Sequence, residues 1–183
     1  MKTCLHHLGF FPAFLAGLLP TTALVANASA AGRVGTYDSR VVAFAAFWDE
    51  THQAHLNSLG CAARTAKAQG DTSRYQSLAK QLSARQHEMH MQVFSTAPIP
   101  EVLARLKDRL PALQREAGVS RLASRWDEAA LAGVPTADRV DVTDRLVREF
   151  RVPDAKLRQL EQLKAAVPLP LWRAQVLSAL HLV

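Results

Sequence analysis

Residues 87–91 read HEMHM, two histidines and two methionines set around a glutamate, and residues 52–55 read HQAH. Imidazole nitrogen suits zinc or copper, and a thioether beside it favours copper. If the two stretches lie on helices that fold back on one another at Gly70-Asp71, His52 comes opposite Met89 and His55 opposite Gln86. Helical phase then puts His52 on the seam between the helices, His55 and His90 a quarter turn or less off it, and His87 and Met91 mostly outward. His52, His55 and His90 are therefore the candidate ligands for zinc or copper, with Met89 beneath them. The competing reading of the same residues is a partly exposed polar helix face.

No catalytic constellation is legible. The sequence holds no GxSxG, HExxH or CxxC and no glycine-rich phosphate loop. Asp49 and Glu50 are adjacent, as are Asp127 and Glu128, and neighbours in a helix or strand point apart, which makes them poor acid–base pairs. Cys61 lies in an alanine-rich helical stretch, where a small buried residue is the ordinary reading. The expectation is a protein that is not an enzyme. Trp48 and Trp126 are read as core packing, with a client-binding surface as the alternative. Trp172, with Leu169, Leu171, Val176 and Leu180, makes an apolar face that docks on the protein's own body, on a membrane or on a partner helix.

The elements that must position these residues follow from periodicity and punctuation. RVGTYD (33–38) favours a strand, and Asp38 or Ser39 is placed to cap the helix after it. From Arg40 to Gln69 only Gly60 interrupts helix-forming residues, which predicts one helix about 45 Å long. His52, Leu56, Leu59, Ala63 and Ala66 form its narrow seam. Gly70-Asp71 ends it, Asp71 or Thr72 caps the next helix, and Tyr75, Leu78, Leu82, Met89 and Val93 share one face of that helix. STAPIP (95–100) closes the hairpin. A helix through Val102, Leu106, Leu110 and Leu113 follows, with Thr96 as candidate cap, Pro111 as a kink and Gly118 as the stop. VSRLASRW (119–126) and RVDVTD (139–144) read as strands, with EAALAGVPTAD between them either strand or loop. Thr143 or Asp144 is placed to cap LVREF, and Pro153 closes that unit. Residues 154–166 form a helix through Leu157, Leu160 and Leu163, and LWRAQVLSALHLV an amphipathic last one.

The fold class is accordingly α+β and mostly helical. It comprises a small β-sheet body, a protruding antiparallel helical hairpin over about 40–93, and a helical C-terminal tail over 154–183. A sheet of this size is marginal alone, so completion by homo-oligomerisation is expected.

The first thirty residues set the compartment. Lys2, the apolar run FFPAFLAGLL and the small-residue exit Ala28-Ser29-Ala30 have the pattern of a secretory signal peptide over 1–30, cleaved after Ala30, with Ala28 the next candidate. The apolar run is too short to span a bilayer comfortably, so no integral membrane segment is expected after cleavage. Removal takes one lysine and no acid from a chain of net charge +6, and Cys4 leaves with it, so Cys61 has no intrachain disulfide partner. The remaining charges alternate in sign, as in RLKDRL and DRLVREF, which reads as a solvated surface; no nucleic-acid partner is expected.

The order strand, long helical hairpin, helix, strand, strand, capped closing helix resembles that of the Skp/OmpH-like periplasmic chaperones. The resemblance rests on RVGTYDSRVV at the first strand, AGVSRLASRWDEAAL where that family has a glycine followed by a strand, and VDVTDRLVREF at the closing segment. It covers roughly residues 33–50 and 99–151, within a domain taken as 31–153. It implies a homotrimer whose small β body is assembled from three chains and whose helical arms hold unfolded or partly folded outer-membrane and other envelope proteins in the periplasm. Two departures stand beside it: the arm is well below the length of the family's arms, and the tail 154–183 has no counterpart.

Overall fold

The computed structural model describes residues 32–180; the signal-peptide reading at 1–30 lies outside the described residues. Three short strands make one parallel sheet in the order β2-β1-β3. Strand β1 (Val34–Tyr37) is central, β2 (Arg121–Ser124) pairs along one side with Val34 opposite Arg121, and β3 (Arg139–Asp141) along the other with Val34 opposite Arg139. A Cβ at Gly35 would lie 2.6 Å from Leu122 Cδ2 and 3.1 Å from Val119 Cγ2, so glycine lets both side chains close on the central strand. Parallel strands need crossovers, and helices fill these connections.

Asp38 caps α1 (Ser39–Trp48), its carboxylate accepting from the Arg40 amide. This helix, SRVVAFAAFW, is buried nearly all round: Val41, Val42, Ala45 and Ala46 belong to the core with Ile99, Val102, Leu106, Leu113, Leu146 and Phe150. A helix apolar on every side is a core helix. Its first turn carries a buried ion pair. Arg40, 2% exposed, donates from Nε and Nη2 to the two Asp38 carboxylate oxygens at 3.1 and 2.8 Å, and from Nη1 to the Ala166 carbonyl at 2.8 Å. The Trp126 indole donates to Asp38 Oδ1 at 3.3 Å, and the Asp38 amide donates to the Thr143 hydroxyl at 3.0 Å.

The single helix expected over 40–69 is broken. It stops at Asp49 (φ −56°, ψ 130°), and α2 (Glu50–Ala68) starts afresh. The reason is tertiary. The nearly buried Asp49 carboxylate accepts from the His52 amide, from Arg105 Nη2 at 3.0 Å and from the Arg151 amide at 3.0 Å, and these partners hold the residue out of helical geometry. Gly70, in the left-handed region at φ 73°, turns the chain into α3 (Thr72–Phe94), which Asp71 caps through the Arg74 amide. Near this turn the Lys67 ammonium stands 5.5 Å from the Tyr75 ring centroid, and Ala63 and Ala66 are buried.

The next stretch splits into α4 (Pro100–Arg105) and α5 (Leu110–Ala117), with Pro111 in the first turn of α5 and Gly118 in the left-handed region at its end. Thr96 does not cap α4; Ile99 occupies that position without a side-chain bond. Between β2 and β3 lie α6 (Glu128–Leu131) and a 3₁₀ turn (Thr136–Asp138). Helix α7 (Thr143–Val147) follows β3, and the Thr143 hydroxyl is engaged by Asp38 instead of capping it. Helices α8 (Asp154–Ala165) and α9 (Leu171–Ala179) complete the described chain. Leu160 and Leu163 sit in the same core as α1, and Leu169 forms a short parallel β contact with Ser95, through Thr96 N–H to Leu169 O and Leu169 N–H to Phe94 O, both 3.0 Å. No helix among the described residues is long and apolar enough to cross a membrane.

Candidate functional site

Helix α3 packs against α1, α2 and α9, and HEMHM is where the face toward α1 and α2 parts from the face toward α9. On one side Met89 shares a cavity of about 300 Å³ with His52 and His55 from α2 and with Phe47, Arg85 and Arg105. The expected meeting of His52 with Met89 is present. His90, one residue further and so about 100° round the helix, lines a different cavity with Phe94 and Met91. His52 and His55 are thus together and His90 is apart from them, which corrects the expected His52–His55–His90 set. The expectation treated the α2 seam as the only packed side of α3, whereas α1 and α9 also pack against it. Among the described residues no three His, Cys, Asp or Glu side chains come together as metal ligands.

The His52 cavity carries the guanidinium groups of Arg85 and Arg105 and the carboxylates of Glu88 and Glu101. Burial lowers the His52 pKa below the ordinary imidazole value, and the guanidinium groups of Arg105 and Arg85 lower it further. The Phe47 ring lies 5.7 Å from the imidazole.

The second cavity, about 440 Å³, is an apolar groove between the end of α3 and the segment leading into α9. His87, His90, Met91 and Phe94 line one wall at the i, i+3, i+4, i+7 spacing of a helical stripe, and Val167, Leu169 and Ala174 line the other. The His90 and Phe94 rings are 5.8 Å apart, and the Ser178 hydroxyl is 3.4 Å from His87 Nδ1. Met91, expected to point outward, is half-buried here. At the groove Phe94 is 56% and Val167 92% exposed. Helix α9 turns Ala174 inward and leaves Trp172 (67% exposed), Val176 and Leu180 outward at spacings of four, an apolar stripe with nothing over it among the described residues. The helix docks on the body through Ala174, while Trp172, Val176 and Leu180 of the expected docking face are exposed.

The other tryptophans are occupied. Lys156 Nζ lies 3.7 Å from the Trp48 ring centroid, and the guanidinium groups of Arg40 and Arg125 lie 5.1 and 5.2 Å from that of Trp126. Cys61, expected to be buried, is exposed, with Arg64 Nη2 3.0 Å from its sulfur.

No family model, curated protein or solved structure matches the chain.

Proposed function

We propose that the chain is a secreted, non-enzymatic binding protein of Skp/OmpH-like kind that holds exposed apolar segments of unfolded or partly folded envelope proteins in the periplasm. The observation that carries this reading is the apolar groove between α3 and α9, with Phe94 and Val167 uncovered along it, beside the exposed stripe of Trp172, Val176 and Leu180 on the outer face of α9. Apolar surface of this kind, rimmed by polar side chains, is what a protein presents when it grips apolar chain rather than folding around a small substrate. Because α1 belongs to the core, the free arm shrinks to α2 and the part of α3 facing it, too little to cage a large client. Holding falls instead to the groove and to the outer stripe of α9.

Homo-oligomerisation, as a trimer, belongs to the same reading. Its support is the sheet, whose two outer edges, on β2 and β3, have no partner strand among the described residues. Light scattering that finds only the mass of a single mature chain would overturn it.

The functional test is suppression of aggregation of an unfolded outer-membrane protein diluted from urea, at stoichiometric ratio. The wild type is expected to suppress it, and Phe94→Ser/Trp172→Ser, altering two exposed side chains and leaving the core intact, is expected to lose most of the effect. No suppression by the folded protein, or full suppression by the double variant, would overturn the assignment.

A further inference from the structure

We propose that the cleft at the carboxyl ends of the three strands binds the phosphate group of a phosphate monoester. In an open parallel sheet the crevice beyond the strand ends lies where successive connections leave to opposite sides, and ligands bind there. With the order β2-β1-β3, the chain leaves β1 for one side and then crosses to the other, so that point lies between β1 and β3. A cavity of about 490 Å³ is present there, and all three strand ends reach it: Asp38 after β1, Arg125 after β2, Asp141 and Thr143 at the end of β3. Its volume is that of a small-molecule site.

Charge chooses the ligand. Of the cleft's carboxylates, Asp38 is paired with Arg40 at 2.8 Å and Asp144 with Lys164 at 2.7 Å. Arg125, Arg145 and Arg148 also line the cleft, and among the described residues none of them pairs with a carboxylate. Against these three guanidinium groups stands one carboxylate without a cationic partner among the described residues, Asp141, which accepts from the Thr143 amide at 2.8 Å. The surplus is two positive charges, matching a phosphate monoester, which carries close to two negative charges at neutral pH. Guanidinium forks suit the tetrahedral array of phosphate oxygens better than they suit a single carboxylate. The Thr143 hydroxyl already accepts from the Asp38 amide, so its own proton is free to donate to a phosphate oxygen. Behind it the buried Asp38–Arg40 pair fixes the end of β1, so the floor is rigid before any ligand arrives. This site is independent of the apolar groove.

Isothermal titration of the full mature protein with glycerol phosphate and with inorganic phosphate, at constant ionic strength and neutral pH, tests it, with flotation on vesicles containing phosphatidic acid as a parallel arm. Saturable binding is expected, weakened about tenfold or more for each guanidinium removed in Arg145→Gln and Arg148→Gln, and unchanged in Arg74→Gln on the distant hairpin. Circular dichroism confirms that the variants, altered at exposed side chains, remain folded. Arginine-dependent binding of vesicles but not of glycerol phosphate would place the phosphate on a lipid headgroup. The proposal is overturned if neither arm binds, if chloride at matched ionic strength competes as well as phosphate, or if the arginine variants bind like the wild type.

Discussion

Replacing Arg40 by methionine removes a cation from a site that water cannot reach, while keeping a side chain of similar length. Three hydrogen bonds go with it, two to Asp38 and one to the Ala166 carbonyl. Asp38 keeps its bonds from the Arg40 backbone amide and the Trp126 indole, but as an unneutralised carboxylate, itself buried. Breaking such a pair from one side costs about 3–5 kcal/mol, because the partner charge is stranded. For a domain of this size each kcal/mol moves the melting point by about 2–4 °C. Arg40→Met is therefore expected to melt roughly 6–20 °C below the wild type. Adding Asp38→Asn removes the stranded charge while leaving an oxygen to cap α1, so the double variant should cost less than the two single losses combined, by about 1–3 kcal/mol. Calorimetric melts of the wild type, both single variants and the double variant measure this. A melting point for Arg40→Met within about 2 °C of the wild type, or strictly additive losses, would refute the account of a buried, mutually dependent pair.

Asp49→Ala and Asp71→Ala delete helix caps of the same residue type in different surroundings. Asp71 is an exposed cap with one local bond, so its loss should cost about 1 kcal/mol, whereas Asp49 also holds Arg105 and the Arg151 amide and should cost about 2–4 kcal/mol in urea denaturation; equal costs would show that Asp49 acts only locally. His52, with a folded pKa below its unfolded value near 6.5, is protonated more readily in the unfolded chain, so its contribution is intact above about pH 6.5 and is lost as pH falls from there to the folded value. His52→Gln should flatten that slope in stability measured against pH, and an unchanged slope would assign it to other groups.

The strands and most helix ends were legible because their signals are local. RVGTYD, SRLASR and RVDVTD carry strand-forming residues, and Asp38, Asp71 and Gly118 act on amides or carbonyls within a few residues of themselves. The break at Asp49 was not legible in the same way, since two of its three partners lie 56 and 102 residues away. A local hint existed: Asp49-Glu50-Thr51 has the acidic, cap-forming character of a helix start. The groove was missed for a related reason. Phase measured from one seam sends His87 and Met91 to solvent and keeps His90 beside the seam, yet with Phe94 the three repeat at helical spacing, which was the available sign of a second packed face. The strand-end cleft has no sequence signature, because Arg125, Arg145 and Arg148 meet only after the sheet order is known.

A chain that emerges one end first, from a ribosome or through a translocation channel, presents α1 long before the residues that cover it. Arg40 waits for Ala166, 126 residues behind, a delay on the order of ten seconds at ordinary rates of synthesis. For most of that interval the valines and alanines of α1 have neither α7 nor α8 against them, and β1 waits for β2 at Arg121 and β3 at Arg139. Helices α3 and α4 reach α1 early, but closure of the core around it waits for α7 and α8 in the last part of the polypeptide. A nascent chain arrested or cleaved before Asp154 lacks α8, so Leu160 and Leu163 are missing from the core around α1 and Arg40 has no Ala166 carbonyl to bond.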